Sequence, residues 1–186
     1  MKTSRLLVSI LLLITATEYV HSQNNTNHFE IEVDPIAYIF KGYSGHFGYQ
    51  LGKVRLDAGA FNIDQPAFFI NNDKFKNRSY GYGLKADYIF KKRKGFFVGL
   101  QTDYTKDRLT LKNTGREKTT QGLFFGVRGG YRFMLGAKER DYRGLYIAPW
   151  VALTYSANAK HVIIDEQVFR QARYGIFPTV HIGYSF

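Results

Sequence analysis

Ser44 and His46 lie two residues apart in the alternating stretch Tyr43–Leu51, so in an extended chain their side chains share a face. Glu30, Glu32 and Asp34 share a face of the stretch before it. A hydroxyl, an imidazole and a carboxylate on neighbouring strands are the parts of an acyl-transfer triad, in which the ring takes the hydroxyl proton and the acid orients the ring. No lipase-like motif surrounds them, and an imidazole among carboxylates also serves as one member of a polar network. The network is the expected role, and no catalytic residue is assigned. His161 stands in a loop without companions of ligand type, so no metal or cofactor is expected.

The same alternation continues downstream. Arg55 with Asp57, Lys85 with Asp87, Asp103, Arg128 with Arg132, Arg173 and His181 all fall on the polar face of their stretches. Five Lys or Arg there face six carboxylates, a near balance. Charges withdrawn from water persist only when paired and hydrogen-bonded. The expected interior polar network is therefore Glu30, Glu32, Asp34, His46, Arg55, Asp57, Lys85, Asp87, Asp103, Arg128, Arg132, Arg173 and His181. Across the closing seam His181 is expected near Asp34 or Glu32, and Arg128 near the ring of Trp150.

The elements that must position these groups are strands of period two. Eight are expected: 29–39, 43–51, 54–61, 79–90, 96–109, 121–135, 144–156 and 168–186. Pro35 cannot donate to a ladder, so a bulge or bend is expected there, turning Ile36, Tyr38 and Phe40 to the apolar side. Gly52-Lys53, the basic run Lys91–Lys94 and Gly136–Arg143 make the shorter connections, and 62–77, 112–118 and 157–167 the longer ones. An even strand count with short turns at one rim and long loops at the other fits a closed antiparallel barrel.

Period two alone does not say which face is inside. The polar face is rich in glycine (Gly48, Gly59, Gly81, Gly83, Gly99, Gly126 and others), which gains nothing against water but makes room in a narrow, side-chain-filled cylinder. The apolar face is dense in Tyr and Phe near strand ends, the pattern of interfacial girdles. The polar face is accordingly expected inside and the apolar face against lipid, with a soluble lipocalin-like barrel the alternative.

Residues 1–22 read as a secretory signal peptide: Lys2 and Arg5 precede the apolar run Leu6–Ile14, too short to span a bilayer. Residues 23–28 form a polar leader and 29–186 the barrel. The absence of cysteine excludes a disulfide framework and acylation on cysteine. The formal net charge of +11 is spread over turns and rims rather than one aromatic-studded stripe, so no nucleic-acid partner is expected.

With export signal, eight amphipathic strands and the terminal Val180-x-Ile182-x-Tyr184-x-Phe186 in place, the chain resembles the small eight-stranded outer-membrane β-barrel proteins of Gram-negative bacteria, the OmpA membrane domain and OmpX-like proteins. The resemblance spans about 29–186 and is architectural. It implies an all-β, up-and-down transmembrane barrel with a side-chain-filled polar interior, in the outer membrane after export across the inner one. It also implies that Val180, Ile182, Tyr184 and Phe186 form the signal read by the barrel-assembly machinery. Phe186 would then lie at the periplasmic rim, with no peptidoglycan-binding domain after it. The expected function is non-enzymatic: a monomeric structural or loop-binding protein in contact with outer-membrane lipid and lipopolysaccharide. Lys74, Lys76 and Arg78 are the candidate phosphate ligands, with Lys112, Arg116 and Lys118 nearby, and Phe68 and Phe69 a docking or capping cluster. The alternatives are a small pore and a lipid-modifying hydrolase.

Overall fold

The computed structural model describes residues 27–70 and 72–186, apart from the side chains of Phe68 and Arg140. The expected signal peptide, 1–22, and most of the leader, 23–28, lie outside the described residues.

Eight strands close an antiparallel barrel. In chain order they are β1 (His28–Val33), β2 (Tyr43–Leu51), β3 (Val54–Gln65), β4 (Phe75–Lys91), β5 (Lys94–Leu111), β6 (Glu117–Met134), β7 (Gly144–Ser156) and, after two short strands outside the barrel, β10 (Tyr174–Ser185). Each pairs with its sequence neighbour, and β10 returns to β1. Outward residues at mid-height are large and apolar: Leu84, Leu100, Val127 and Leu153 are 54–63% exposed. Inward residues at the same height are charged and buried, Arg55, Lys85 and Arg128 among them. This polarity is the reverse of a soluble barrel's and suits a wall surrounded by hydrocarbon.

The first strand is shorter than the expected 29–39. It stops at Val33 because Asp34 and Pro35 start a helix instead of a bulge. The Asp34 carboxylate accepts the Ile36 N–H at 2.8 Å, Pro35 takes a position that needs no donor, and α1 (Pro35–Ile39) follows. Tyr38 and Ile39 are left exposed at the outer rim.

That shortening leaves the seam incomplete. β1 and β10 pair through Glu30–Val33 with Ser185–Ile182 and one further bond from the Phe186 N–H to the Phe29 carbonyl, whereas β10 is paired with β7 along its whole length. The Ser156 N–H donates to the Arg173 carbonyl at 2.7 Å, so odd-numbered residues of β10 bond β7 and even-numbered ones face the β1 side. Pro178 is even-numbered. Its missing donor falls on the unpaired flank, where a proline costs no ladder bond.

On the opposite side the wall is tall. β4, β5 and β6 contain 17–18 residues each, whereas about 9–11 tilted residues cross a bilayer. Part of what reads as long loops is therefore strand: 62–65 continue β3, 75–77 begin β4 and 117–118 begin β6. The expected last strand, 168–186, is also divided: β8 (His161–Ile164) and β9 (Gln167–Arg170) form a separate hairpin. Its turn residues, Asp165 and Glu166, both have positive φ, the geometry of a two-residue hairpin turn. The hairpin packs on the strand extensions and on α2 (Ala67–Ile70), burying Ile70, Phe75, Leu109, Leu111, Val162, Ile164 and Phe169. The outer end is thus a small folded head with its own apolar core.

The position of the lipid belt gives a direct test. Leu100→Arg, at mid-height on the outer face, is expected to cost about 2–4 kcal/mol of folding free energy in phospholipid vesicles. Thr119→Arg, on the exposed extension of β6, should cost much less. Urea titration of both variants measures the difference, and equal costs would contradict the belt.

Candidate functional site

The lumen is filled by one connected set of charges. Arg55 of β3 lies 2.6 Å from Glu30 and 2.8 Å from Glu32 of β1, 2.9 Å from Asp57 and 3.3 Å from Asp87 of β4. Arg132 adds a 2.7 Å contact to Glu30, and Arg128 a 3.2 Å contact to Asp87. The Arg128 guanidinium lies 4.2 Å from the Trp150 ring centre. Lys85 bonds Asp57 at 2.8 Å. Asp103 accepts from the Gln101 amide at 2.7 Å, with no ion pair among the described residues.

Across the seam the partner of His181 is Glu32, at 2.7 Å. Asp34 is not its neighbour: that carboxylate is taken by the Ile36 N–H and by the Thr179 hydroxyl, at 2.7 Å. Arg173, expected inside, is exposed in the connection before β10. The alternation that assigned it inward does not run through residues 171–173, which lie outside strand structure.

Ser44, His46 and an acid do meet, but the acid is Asp57 of β3 rather than a carboxylate of β1. Ser44 Oγ is 2.9 Å from His46 Nε2, and His46 Nδ1 is 3.1 Å from Asp57 Oδ1. Lys85 Nζ lies 2.8 Å from that same Nδ1. An ammonium only donates and a carboxylate only accepts, so Nδ1 meets opposite demands, and Lys85, which also bonds Asp57, is a fourth member that an acyl-transfer triad does not have. Where Nδ1 accepts from Lys85, the ring proton sits on Nε2 and no lone pair faces the Ser44 hydroxyl. Ser44 is also buried in the lumen, away from lipid.

The space for these groups comes from missing side chains. A Cβ on Gly59 would fall 1.9 Å from His46 Nδ1, and one on Gly183 2.4 Å from the Tyr146 ring. Tyr146 donates to Glu32 at 2.7 Å. It was not among the expected network residues, although its strand places it on the inward face with Trp150.

The rim of short turns holds a second set outside the expected network. Arg93, 1% exposed, lies 3.1 Å from Asp141 and donates to Ser185 Oγ at 3.4 Å. Its burial lowers the guanidinium pKa to about 10, against the opposing pull of Asp141, so it stays charged at neutral pH. His28 Nδ1 lies 2.6 Å from the Phe186 carbonyl oxygen. On the other face of β10, Ile182, Tyr184 and Phe186 are 40–53% exposed and Val180 is half-buried.

The outer cations divide into two groups. Lys74 Nζ bonds Gln167 at 2.7 Å, Arg116 pairs with Asp165, and Lys118 donates to the Ile163 carbonyl at 3.2 Å, so these three tie the head to its hairpin. Arg78, expected in a loop, lies on β4 and bonds Asn62 at 3.1 Å. Lys76 is exposed on β4, with no ion pair among the described residues. The Phe69 ring lies 6.0 Å from that of Phe177, which itself packs on Trp150, so it stands at the barrel mouth. The side chain of Phe68 lies outside the described residues.

Arg55→Met is expected to destabilise the barrel by about 3–5 kcal/mol, because four carboxylates lose their shared cation. For Glu32→Gln and His181→Ala the costs should be non-additive in the double variant. The unfolding temperature of the compact, heat-modifiable band on semi-native gels measures both, and simple additivity would contradict the pair.

No protein-family model and no curated protein matches the chain. Among the solved structures similar to it are two bacterial β-barrels. The N-terminal β-barrel domain of Pseudomonas aeruginosa OprF aligns with a TM-score of 0.51 at 14% identity, over 88% of this chain and 100% of that one. Neisserial surface protein A (NspA) aligns with a TM-score of 0.49 at 12% identity, over 86% and 96%. The chain has the closed eight-stranded antiparallel fold of outer-membrane β-barrels, the architecture that the OmpA-like resemblance implies.

Proposed function

We propose that this is a monomeric integral protein of a Gram-negative outer membrane, without a pore or a catalytic centre, that acts by binding at its outer end to the lipopolysaccharide surface. The observation carrying the binding role is the charge of the upper wall. Residues 74–78 and 106–118 contain eight Lys and Arg but only two carboxylates, of which Asp107 is buried. Phosphorylated glycolipid is the anionic material that such a wall meets in an outer leaflet.

Three features support the rest of the reading. The apolar belt suits a bilayer, and the linked charges across the lumen suit a plug rather than a channel. The Ser44–His46–Asp57 set is buried in the lumen, away from lipid, with Lys85 bonded to both the imidazole and the acid. After export through the signal peptide, the alternating face of Val180, Ile182, Tyr184 and Phe186 would serve recognition by the assembly machinery.

Refolded protein is expected to retain purified lipopolysaccharide in a pull-down at low ionic strength and to release it progressively as salt rises, since screening weakens exposed charge pairs. No retention at low salt would defeat the binding role. In planar bilayers no reproducible conductance is expected, and a stable unitary current would overturn the occluded lumen.

A further inference from the structure

The outer face of β4 and β5 contains a more specific arrangement. Alternate residues face outward there, and the register sets Tyr80 opposite Lys106 and Arg78 opposite Arg108. Arg78 and Arg108 are like charges on directly paired residues, a placement that destabilises a sheet by itself. Both guanidiniums flank one aromatic ring, 5.9 and 5.8 Å from the centre of Tyr80. The available carboxylates are few and loosely held: Asp64 lies 3.5 Å from Arg78, and Glu117 3.9 Å from Arg108. Lys106 is exposed, with no ion pair among the described residues. An anion seated among Arg78, Lys106 and Arg108 would turn their mutual repulsion into shared attraction.

What lies beneath this cluster indicates which anion. One rung lower, Tyr82 and Tyr104 stack at 5.9 Å and mark the upper edge of the apolar belt. The next rung runs Phe47, Ala58, Leu84, Thr102, Phe125 across five strands. Ala58 and Thr102 are small between larger neighbours, and with Ala86 and Leu100 below they leave an open trough of about 580 Å³ in the lipid-facing wall. From the Arg78–Arg108 pair to the Leu84–Thr102 pair is six residues, roughly 20 Å along the strands. With strands tilted by about 45° this is about 14 Å of depth, enough to pass an interfacial layer of roughly 5–7 Å and reach the hydrocarbon. Cations and trough share the same two strands, the cations at the interface and the trough in the belt.

We propose that the outer wall of β4–β5 is a seat for a phosphorylated, acylated glycolipid of the outer leaflet, with its phosphate between Arg78, Lys106 and Arg108 and an acyl chain in the trough. This rests on the lipopolysaccharide-binding reading above and gives that binding a site. The head cations Lys74, Arg116 and Lys118 are already engaged with the β8–β9 hairpin and are not part of the seat.

The test titrates refolded full-length protein in detergent with purified lipid A and, separately, with the same lipid after removal of its phosphates. For the wild type, the phosphorylated lipid should bind about tenfold or more tightly than the dephosphorylated one. K106A/R108A should lose that preference, and K106Q/R108Q, which keeps polar side chains at both positions, should lose it equally. Heat-modifiable mobility confirms that each variant is folded. Ala86→Phe, which fills the trough, should weaken both lipids. Inorganic phosphate alone at the same concentrations should not compete; effective competition would show a free-anion site and overturn the lipid assignment. Wild type and K106A/R108A binding phosphorylated lipid A with equal affinity would overturn the seat while leaving the binding role intact. Failure of the wild type to bind lipid A at all would overturn the binding role and the seat together.

Discussion

Arg55 is the group on which the rest of the interior depends. It reaches four carboxylates on three strands, and each of those carboxylates has a further partner. Glu30 extends to Arg132, Glu32 to His181 and Tyr146, Asp57 to Lys85 and His46, and Asp87 to Arg128. The linked charges run from β1 across the lumen to β6 and β10. Withdrawn from water, such charges tolerate no missing member, because an orphaned ion costs far more than a completed pair returns. The linked charges therefore hold one another in place, and the contacts pin the relative registers of strands far apart in sequence.

That network also includes the triad-like set. Ser44, His46 and Asp57 have the separations that acyl transfer needs, yet Lys85 bonds both the imidazole and the acid. Its ammonium competes with the Asp57 carboxylate for Nδ1, a contact that an acyl-transfer triad does not contain. Distances within the three alone would miss this fourth neighbour.

The outer end follows a different logic. Only β4–β6 rise well past the belt, and they remain ordered because β8, β9 and α2 cover their inner face with an apolar core. With the low rim at α1 and the incomplete seam beside β10, the molecule presents one high cationic wall and one low apolar lip. An asymmetric wall confines the cations to the β4–β5 side instead of spreading them around a ring.

The period of two was legible from the sequence, and with it the strand count, the closed all-β class and the inward placement of most charged residues, Arg55, Lys85, Arg128 and His181 among them. The abundance of inward glycine pointed to a filled lumen, because only a crowded interior makes use of an absent Cβ. Pairing was legible in part: Arg128 meets Trp150, and Glu32 is one of the two acids expected near His181. His181 faces Glu32 and not Asp34 because helix capping at Pro35 claims Asp34, a competition visible only once α1 exists. Arg93 sits in a run of four basic residues with nothing to mark it, yet a positive φ in the turn leaves it as the one buried under the barrel. Asp165-Glu166 lacks the Asn-Gly chemistry that announces a hairpin, so the sequence reads β8 as loop and β9 as the start of the last strand, with Arg173 on its inward face. Local alternation determines which face a side chain takes, since it depends only on the chain's own geometry. Register, turn conformation and strand height are set by contacts between distant segments, and those only the tertiary structure decided.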